Sequence, residues 1–454
     1  MYQKFRIIGT LILSMLISIS YAQKDGWQEL FNGKDLNGWK QLNGKAKYEV
    51  VDGTIVGTST LNTPNSFLTT EKNYGDFILE LEVWVDNRLN SGIQIRSESK
   101  PDYQKGRVHG YQVEIDPSDR AWSGGIYDEA RRGWLYPLDL NQPARQAFKK
   151  GEWNKYRIEA VGSVIRTFIN GVPAAYLIDN LTPEGFICLQ VHSINKPEQD
   201  GTQVKWRNIR INTTHVKPSP LKGDIRIVNL LPNELSADEK KLGWKLLFDG
   251  KDLSQWKGYN VKEFPSGRWT AENGNLIIAK SDGVTKNNDL ITRKKYGPAF
   301  EFQFEFQLTE AANSGVKYFI NETNDDSRGG LGPEYQVLDD KGHPDAKKGI
   351  EGNRTLASFY DVKTAVKPNN AVKPIGEWNI GRIVAHSDGT VIHFLNGQKV
   401  VEYKRGSEEF NKLVALSKFK DSAGFAMAPK GHLLLQDHHD RVSFRSLKVR
   451  QLKK

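Results

Sequence analysis

The chain has 454 residues, enough for two or three domains, and its 64 Lys and Arg against 54 Asp and Glu give a net charge of +10. The positive charges are scattered among acidic residues and accompany no recognition motif, which argues against a nucleic-acid-binding protein. The single cysteine, Cys188, excludes an internal disulfide. Its apolar neighbours in GFICLQVH predict a small buried side chain.

The first 22 residues are organised like a signal peptide. Two basic residues precede an apolar run at 7–19, and the letters SYA at 20–22 form a small-x-small cleavage site. We predict a signal peptide at 1–22, cleavage after Ala22 and export to the periplasm or the extracellular space. The apolar run is shorter than the about 20 residues that span a bilayer, and we expect no membrane span elsewhere.

The chain repeats one pattern twice. WQELFNGKDLNGW at 27–39 returns as WKLLFDGKDLSQW at 244–256, and GEWNKYRIEA at 151–160 returns as GEWNIGRIVA at 376–385. Further pairs follow in the same order, which indicates a duplicated domain of roughly 200 residues rather than a solenoid of short repeats. The predicted division is a first domain at 24–214, a linker at 215–239 and a second domain at 240–452.

Strand patterns run through both halves. Apolar and polar residues alternate over a full strand length in FILELEVWV at 77–85 and in FEFQFEFQL at 300–308. In the linker, Ser236 followed by Glu239 is a capping-box pattern that predicts a short helix. The fold class that these patterns indicate is all-β, with two concanavalin-like or jelly-roll β-sandwich domains in tandem.

The stretch VHGYQVEIDP at 108–117 predicts a strand with an unusual polar face. Because side chains alternate along a strand, Gln112, Glu114 and Asp116 share one face. A solvent-exposed face is one interpretation, and a sugar-binding or catalytic face is the other. Glu114 and Asp116 are candidate catalytic residues, since Cα atoms about 7 Å apart allow two carboxyl groups to reach one sugar.

The second half has EYQVLDD at the corresponding place. Aligning the shared letters pairs Gln112 with Gln336 and Asp116 with Asp340, and it moves the glutamate to Glu334. Glu334 and Asp340 are therefore the candidate catalytic carboxylates of the second half.

Histidines also stand at matching places. His192 ends a late predicted strand of the first half, His438 is its counterpart in the second, and both are candidate catalytic residues. His438 lies beside Asp437 and His439, and with Asp340 these side chains could hold a divalent metal, because imidazole and carboxylate suit several ions. Their spacing matches no closed zinc signature, so the sequence predicts no certain cofactor.

A carbohydrate cleft needs aromatic rings that pack against sugar C–H faces and polar groups that bond hydroxyls. The loop YDEARRGWLYP at 127–137 carries both kinds of residue, and NSG, which is expected to form a turn or bulge, precedes further polar residues in each half. The candidate substrate-binding residues of the first half are Arg96, His109, Gln112, Tyr127, Arg131 and Trp134. Those of the second half are Lys317, Gln336, His343 and Tyr360.

Taken in order, LFNGKDLNGW, NSGIQIR, YQVEID, GEWN and INGV resemble the 3-keto-disaccharide hydrolase domain family, and the second half repeats the pattern. The resemblance covers about 24–214 and 240–452. It implies a concanavalin-like sandwich, export, and action on glycosides that are oxidised at C3.

A C3 ketone makes the C2–H acidic, so we expect cleavage of 3-keto-glycosides by C2 deprotonation, elimination and water addition, with a general base at C2. One alternative is a non-catalytic carbohydrate-binding protein with lectin-like sandwiches. Another is a conventional β-glucanase-like glycosidase, whose E-x-D-x-x-[E/D] strand is similar to EIDPSD at 114–119. A division of labour, with one catalytic half and one binding half, is also open.

Overall fold

The alternating stretches at 77–85 and 300–308 form central strands of two β-sandwiches. The computed structural model describes residues 26–221, 223, 225–284, 288–323, 330–368 and 371–452. The predicted signal peptide at 1–22 lies outside the described residues. Strands make up 42% of the structure and helices 7%, which confirms the all-β fold class.

The first half is built from strands joined by short turns. Its strands are β1 (Trp27–Glu29), β2 (Trp39–Asn43), β3 (Lys47–Val51), β4 (Thr54–Thr58), β5 (Ser66–Thr70), β6 (Phe77–Val85), β7 (Ser91–Glu98), β8 (His109–Ile115), β9 (Ile126–Glu129), β10 (Gly133–Tyr136), β11 (Asn154–Val161), β12 (Val164–Ile169), β13 (Val172–Ile178), β14 (Phe186–Val191) and β15 (Gln203–Asn212). Single 3-10 turns lie at Leu138–Leu140, Gln142–Gln146 and Pro197–Gln199.

The linker and the second half continue the chain. They contain β16 (Val228–Asn229), α1 (Ala237–Lys241), β17 (Lys245–Leu246), β18 (Trp256–Gly258), β19 (Trp269–Glu272), β20 (Asn275–Ile278), β21 (Leu290–Thr292), β22 (Phe300–Leu308), β23 (Asn313–Ile320), β24 (Glu334–Leu338), a 3-10 turn at Pro344–Lys347, β25 (Trp378–Ala385), β26 (Thr390–Leu395), β27 (Gln398–Lys404), α2 (Glu408–Ala415), β28 (His432–Leu435) and β29 (Val442–Gln451).

Each half is a sandwich of a larger and a smaller sheet. The larger sheet of the first half runs β16-β13-β12-β11-β6-β15-β4-β3, with β1 paired to β15, and the smaller runs β10-β9-β8-β7-β14-β5-β2. In the second half the larger sheet runs β19-β20-β29-β22-β25-β26-β27, with β17 paired to β29, and the smaller runs β18-β21-β28-β23-β24. The predicted pair of tandem sandwiches is therefore confirmed.

Side-chain alternation divides each sandwich into core and outer faces. In β22 the phenylalanines Phe300, Phe302, Phe304 and Phe306 enter the core between the sheets, as the alternation predicts. Cys188 is a buried free thiol, which confirms its predicted packing role.

The linker is docked against both sandwiches. β16 pairs in parallel with β13 of the first half, while the Arg226 guanidinium bonds to Glu301 and Gln303 on the outer face of β22. Ser236 and Glu239 form the predicted capping box at the start of α1. Within the described part of the chain, no helix is both long enough and apolar enough to cross a membrane.

Candidate active site

Each half carries a polar face on its smaller sheet, on the side away from the core. In the first half, β8 pairs with β7 so that Glu114 lies opposite Gly92 and Gln112 lies opposite Gln94. Every residue of His109–Ile115 is buried, so the interpretation of this strand as solvent-exposed is wrong.

The second half has the same arrangement with different residues. β24 pairs with β23 so that Gln336 lies opposite Gly315 and Glu334 lies opposite Lys317. Because Gly315 is the glycine of the second NSG motif, it fixes how the two faces correspond.

Superposing the two NSG glycines by strand register places Glu334 where the first half has Gln112. Gln336 then takes the place of Glu114. The expected pairing of Gln112 with Gln336 is wrong by two residues, as is the pairing of the aspartates that follow them. Because side chains alternate along a strand, an alignment of the two halves that is wrong by two residues still assigns every side chain to the correct face. The apolar pattern therefore does not reveal the error.

The NSG glycines lie within strands, at Gly92 in β7 and Gly315 in β23. A Cβ on Gly92 would overlap the Gln112 side chain, and a Cβ on Gly315 would overlap the Glu334 carboxylate. The predicted turn is therefore wrong. The glycine makes room for the polar side chain that lies across it.

A buried lysine and glutamate form the centre of the second-half face. Lys317 Nζ lies 4.0 Å from Glu334 Oε2, and the two residues are 8% and 5% exposed. Burial raises the pKa of Glu334 above its usual value, and the charges of Lys317 and Lys418 offset part of this rise. Such a carboxylate is a stronger base than an exposed one.

A cavity of about 370 Å³ opens over this pair, and Lys418 also lines it. Lys418 lies in the turn after α2, and its Nζ is 4.3 Å from the ring centre of Tyr360. Burial lowers the pKa of Lys418, while the charge of Glu334 acts in the opposite direction. Tyr360, predicted to bind substrate, therefore lies beside Lys418 and donates its hydroxyl to Asp345 at 2.9 Å. No sequence pattern pointed to Lys418, which belongs to no repeated motif.

Asp289 is a second residue that sequence reasoning missed. Continuing the β21–β28 register from Leu290 and Leu435 places Asp289 opposite Gln436. Burial raises the pKa of Asp289, and the charges of Lys317 and His438 partly offset this. The carboxylate also accepts a hydrogen bond from the Asp437 amide at 2.8 Å.

Gln336 extends the same face beside Glu334. In the amide orientation that satisfies its hydrogen bonds, the Gln336 nitrogen donates to the Ser314 carbonyl oxygen at 3.0 Å and to Glu334 Oε1 at 3.1 Å. The predicted residues Lys317, Glu334 and Gln336 are thus brought together.

Two histidines and an aspartate meet at the end of this face. Ligand atoms of His343, His438 and Asp440 all lie within 4.8 Å of one another, and this donor set fits a divalent metal. His343 Nδ1 accepts a hydrogen bond from the Asp345 amide. The predicted partner His439 is exposed and stands outside this group.

Two other predicted carboxylates of the second half are engaged in structural contacts. Asp437 binds the Arg268 guanidinium through both oxygens, at 2.8 and 2.9 Å. Asp340 accepts from Lys367 at 2.7 Å and from the Leu356 amide at 2.6 Å. The structure therefore does not bring Asp437 or Asp340 into the histidine group or into the lining of the cavity.

The first-half face is a network of amides around one carboxylate. Gln94 and Gln190 both donate to Gln112 Oε1, at 2.8 and 2.9 Å, and Gln112 donates to Glu114 at 2.8 Å. Asn90 donates to Glu114 as well, at 2.8 Å. Burial raises the pKa of Glu114, which these hydrogen bonds partly offset.

Asp116 is held as a carboxylate at the end of β8. Although burial opposes it, hydrogen bonds from Ser118 and Arg120 keep the pKa of Asp116 below its usual value. His192 and Asp116 line one cavity of about 490 Å³, and His192 Nδ1 is 2.6 Å from the Ser193 carbonyl oxygen. Asp116 is therefore a poor proton acceptor at neutral pH.

Two predicted aromatic residues form a cluster with an arginine that the sequence did not single out. The ring centres of Tyr127 and Trp134 are 5.2 Å apart, and the Arg120 guanidinium lies 5.0 Å from the Trp134 ring. Arg120 also bonds Glu114 at 3.1 Å, so this cluster borders the amide network.

Three predicted binding residues of the first half lie elsewhere. Arg96 is fully buried and donates to the carbonyls of Gly75 and Gly162. Arg131 pairs with Asp128 at 2.8 Å. The His109 ring packs at a tilt against the Tyr103 ring, with ring centres 3.9 Å apart. The structure contradicts a substrate contact for Arg96, because all of its surface is covered by protein.

The glycosidase pattern EIDPSD is also not assembled. Its last carboxylate, Asp119, is fully exposed and pairs with Lys150 at 2.9 Å. It therefore does not join Glu114 and Asp116.

The comparisons with known proteins agree with a duplicated domain. The family model described as a 3-keto-alpha-glucoside-1,2-lyase-like domain matches residues 26–212 and 243–450. A Bacteroides thetaiotaomicron protein named 3-keto-disaccharide hydrolase is 36% identical over 233 residues, covering 46% of this chain and 79% of that protein.

Among solved structures, one described as a glycosyl hydrolase from Parabacteroides distasonis is 29% identical with a TM-score of 0.43, covering 49% of this chain and all of that one. A carbohydrate-binding module from Bacillus subtilis is 14% identical with a TM-score of 0.27, covering 38% of this chain and 95% of that one. On the match of the family model to both halves, the chain belongs to the family of 3-keto-alpha-glucoside-1,2-lyase-like domains.

Proposed function

We propose that this protein is a carbohydrate-active hydrolase that cleaves 3-keto-glycosides on the polar face of its second half. Membership of the family and the name of the curated relative support a glycoside-cleaving enzyme. The observation that carries the assignment to the second half is the buried pair of Lys317 and Glu334 beneath a cavity, because it combines a base with a cation.

The reaction follows from the ketone. The base removes the C2 proton, and the electron pair moves into the C3 carbonyl to form an enolate. When the enolate collapses, a C1–C2 double bond forms and the C1–O bond breaks, so the aglycone leaves with the glycosidic oxygen. Water then adds to C1 while C2 regains a proton, which gives net hydrolysis.

Glu334 suits the role of the base, because its raised pKa brings it closer to neutral pH. Having taken the C2 proton, it can return that proton to the departing oxygen and then accept one from the attacking water. Lys317 is the cation that stabilises the enolate oxygen, and Lys418 adds a second positive charge to the cavity.

His343, His438 and Asp440 would hold a divalent ion at the end of this face. Such an ion would act as a Lewis acid on the sugar oxygens. If this ion takes part in the reaction, a chelator will lower the rate of cleavage.

The test uses the chain from Gln23 onward with a 3-keto-glucoside and the matching unoxidised glucoside. We expect aglycone release from the keto form alone, and less release after chelation if the histidine group holds a metal. Release from the unoxidised sugar would favour a conventional glycosidase, and release from neither would favour a binding protein.

Matched variants locate the base. We expect Glu334→Gln to lower kcat/KM by about 10²–10⁴-fold, while Glu114→Gln in the first half leaves it near the wild-type value. Wild-type turnover in Glu334→Gln would refute the assignment.

We also infer that the protein is exported and cleaved after Ala22, as the signal-peptide pattern at 1–22 indicates. The mass of the mature protein from its native host tests this. A species that retains residues 1–22 would contradict it.

A further inference from the structure

Two adjoining cavities border the polar face of the first half, where Asn90 and Asp116 line one and Phe67 lines the other. One has a volume of about 490 Å³ and the other about 510 Å³, and Ser193 lines both. Each volume is within the range of small-molecule sites. Together they are suited to an extended ligand rather than to one compact ring.

Side-chain amides recur in the lining of both cavities. Asn62, Asn87, Asn90 and Asn195 line the first cavity, and Asn43 and Asn65 line the second. An amide both donates and accepts hydrogen bonds, as a sugar hydroxyl does. This lining therefore fits a polyhydroxylated ligand.

Several of these amides are held in place by the backbone. Asn65 Oδ1 accepts from the Ser193 amide at 2.8 Å, and Asn43 Oδ1 accepts from the Val108 amide at 2.8 Å. Because the protein fixes their orientation, less conformational entropy is lost when a ligand binds.

The arginines that line the cavities are already paired. Arg88 binds Asp86 at 2.9 Å, and Arg107 binds Glu129 at 3.0 Å. Apart from the exposed Lys105 at the second cavity, a ligand therefore meets cations that carboxylates already balance, which favours a neutral ligand over an acidic one.

The same face lacks the buried lysine–glutamate pair of the second half, and its one central carboxylate, Glu114, stands where the second half has Gln336. By strand register, Gln94 and Gln112 stand where the second half has Lys317 and Glu334. Phe67, which lies opposite Gln190, stands where the second half has Asp289. The amides cannot act as acids or bases near neutral pH.

We propose that the first half is a non-catalytic binding site for a neutral, unoxidised oligosaccharide, which lies along the amide-lined cavities. This goes beyond the proposed function, because it concerns another face and another form of the sugar. It assigns to the first half the task of holding a glycan near the second.

The test measures binding by calorimetry to the full chain carrying Glu334→Gln, which removes turnover. Maltotriose and cellotriose are the two probes, chosen to differ in linkage. We expect one of them to bind with a stoichiometry of one per chain. No binding of either at 10 mM would overturn the proposal.

Two further variants in this background locate the site. Asn195 is exposed at the rim of the first cavity, and we expect Asn195→Trp to weaken binding at least tenfold. Asp421 is exposed at the rim of the second-half cavity, and Asp421→Trp should leave binding unchanged. The reverse result would place the sugar on the second half and overturn the proposal.

Thermal unfolding of each variant checks that it is folded. Turnover of a 3-keto-glucoside by the wild-type chain is a separate measurement. If the protein binds the oligosaccharide but does not cleave the 3-keto-glucoside, the proposed function alone is refuted. If it cleaves the 3-keto-glucoside but binds neither oligosaccharide, this inference alone is refuted.

Discussion

Glu334 and Gln112 occupy one position on the two polar faces, and each side chain packs over the glycine of the NSG motif. The carboxylate can take and return a proton, whereas the amide can only share hydrogen bonds. The same contrast holds for Lys317 and Gln94, which are their partners in the neighbouring strands. At this scale the two halves differ in proton chemistry while keeping the same geometry.

The charge of Lys317 lowers the pKa of Glu334, in opposition to burial. We therefore expect Lys317→Met to raise that pKa further. Because the ionised carboxylate is the base, the acid limb of kcat/KM against pH should move to higher pH than in the wild type. The measurement is kcat/KM for a 3-keto-glucoside across pH 4–9.

The exposed lysine Lys430 is the matched control, and Lys430→Met should leave the profile in place. An acid limb at the same pH in Lys317→Met and in the wild type would show that the two side chains are not coupled.

The sequence identified Lys317, Glu334 and His438 as candidates because they lie on or beside repeated strands. It missed Asp289 and Lys418, which come from outside those motifs. Asp289 immediately precedes β21, and Lys418 follows α2. Their contribution depends on packing between segments that are far apart in the chain, and no local pattern records this.

At the scale of strands, the sharpest constraint is the glycine over which the Glu334 or Gln112 side chain packs. We expect Gly315→Ala to displace the Glu334 carboxylate, since the added Cβ would overlap it. The cost in stability should be about 1–3 kcal/mol, as for other overpacked sites, and kcat/KM should fall. Turnover and thermal unfolding are the two measurements.

Gly92→Ala crowds Gln112 in the same way and is therefore a matched control. It should cost similar stability and leave turnover of the 3-keto-glucoside almost unchanged. Equal losses of turnover in both variants would contradict the assignment of catalysis to the second half.

Strand alternation predicted which residues share a face, and it did so correctly for Gln112 and Glu114. It could not give the register between neighbouring strands, because a shift of two residues preserves the pattern. The matching letters YQV therefore led to the wrong correspondence between Gln112 and Gln336.

At the scale of the whole molecule, the linker joins two sandwiches that the duplication had predicted. Its helix α1 is anchored to the second half by Glu239, which pairs with Lys448 at 2.6 Å. Both side chains are almost fully buried. Removal of one partner leaves a buried charge without compensation.

We expect Lys448→Met to lower the free energy of unfolding by about 3–5 kcal/mol. Lys241 is the control, because it is exposed and pairs with Asp238 on the surface. Lys241→Met should change stability by at most about 0.5 kcal/mol. Chemical denaturation of both variants measures the difference, and equal effects would show that the buried pair is not a stabilising anchor.

The outer face of β22 was harder to predict. The alternation in FEFQFEFQL is typical of a strand with one solvated face, yet Glu301 and Gln303 are 2% and 3% exposed. Arg226 from the linker bonds to both. The sequence records that these side chains are polar and gives no information about what covers them.

This docked linker has an evolutionary consequence. After a gene duplication, a copy that loses its chemistry is usually free to be deleted. Here deletion of the first half together with the linker would remove Arg226 from Glu301 and uncover the face of β22. Selection for a folded second half therefore also favours retention of the first, which gives a copy with amides in place of the Lys317–Glu334 pair time to acquire another ligand.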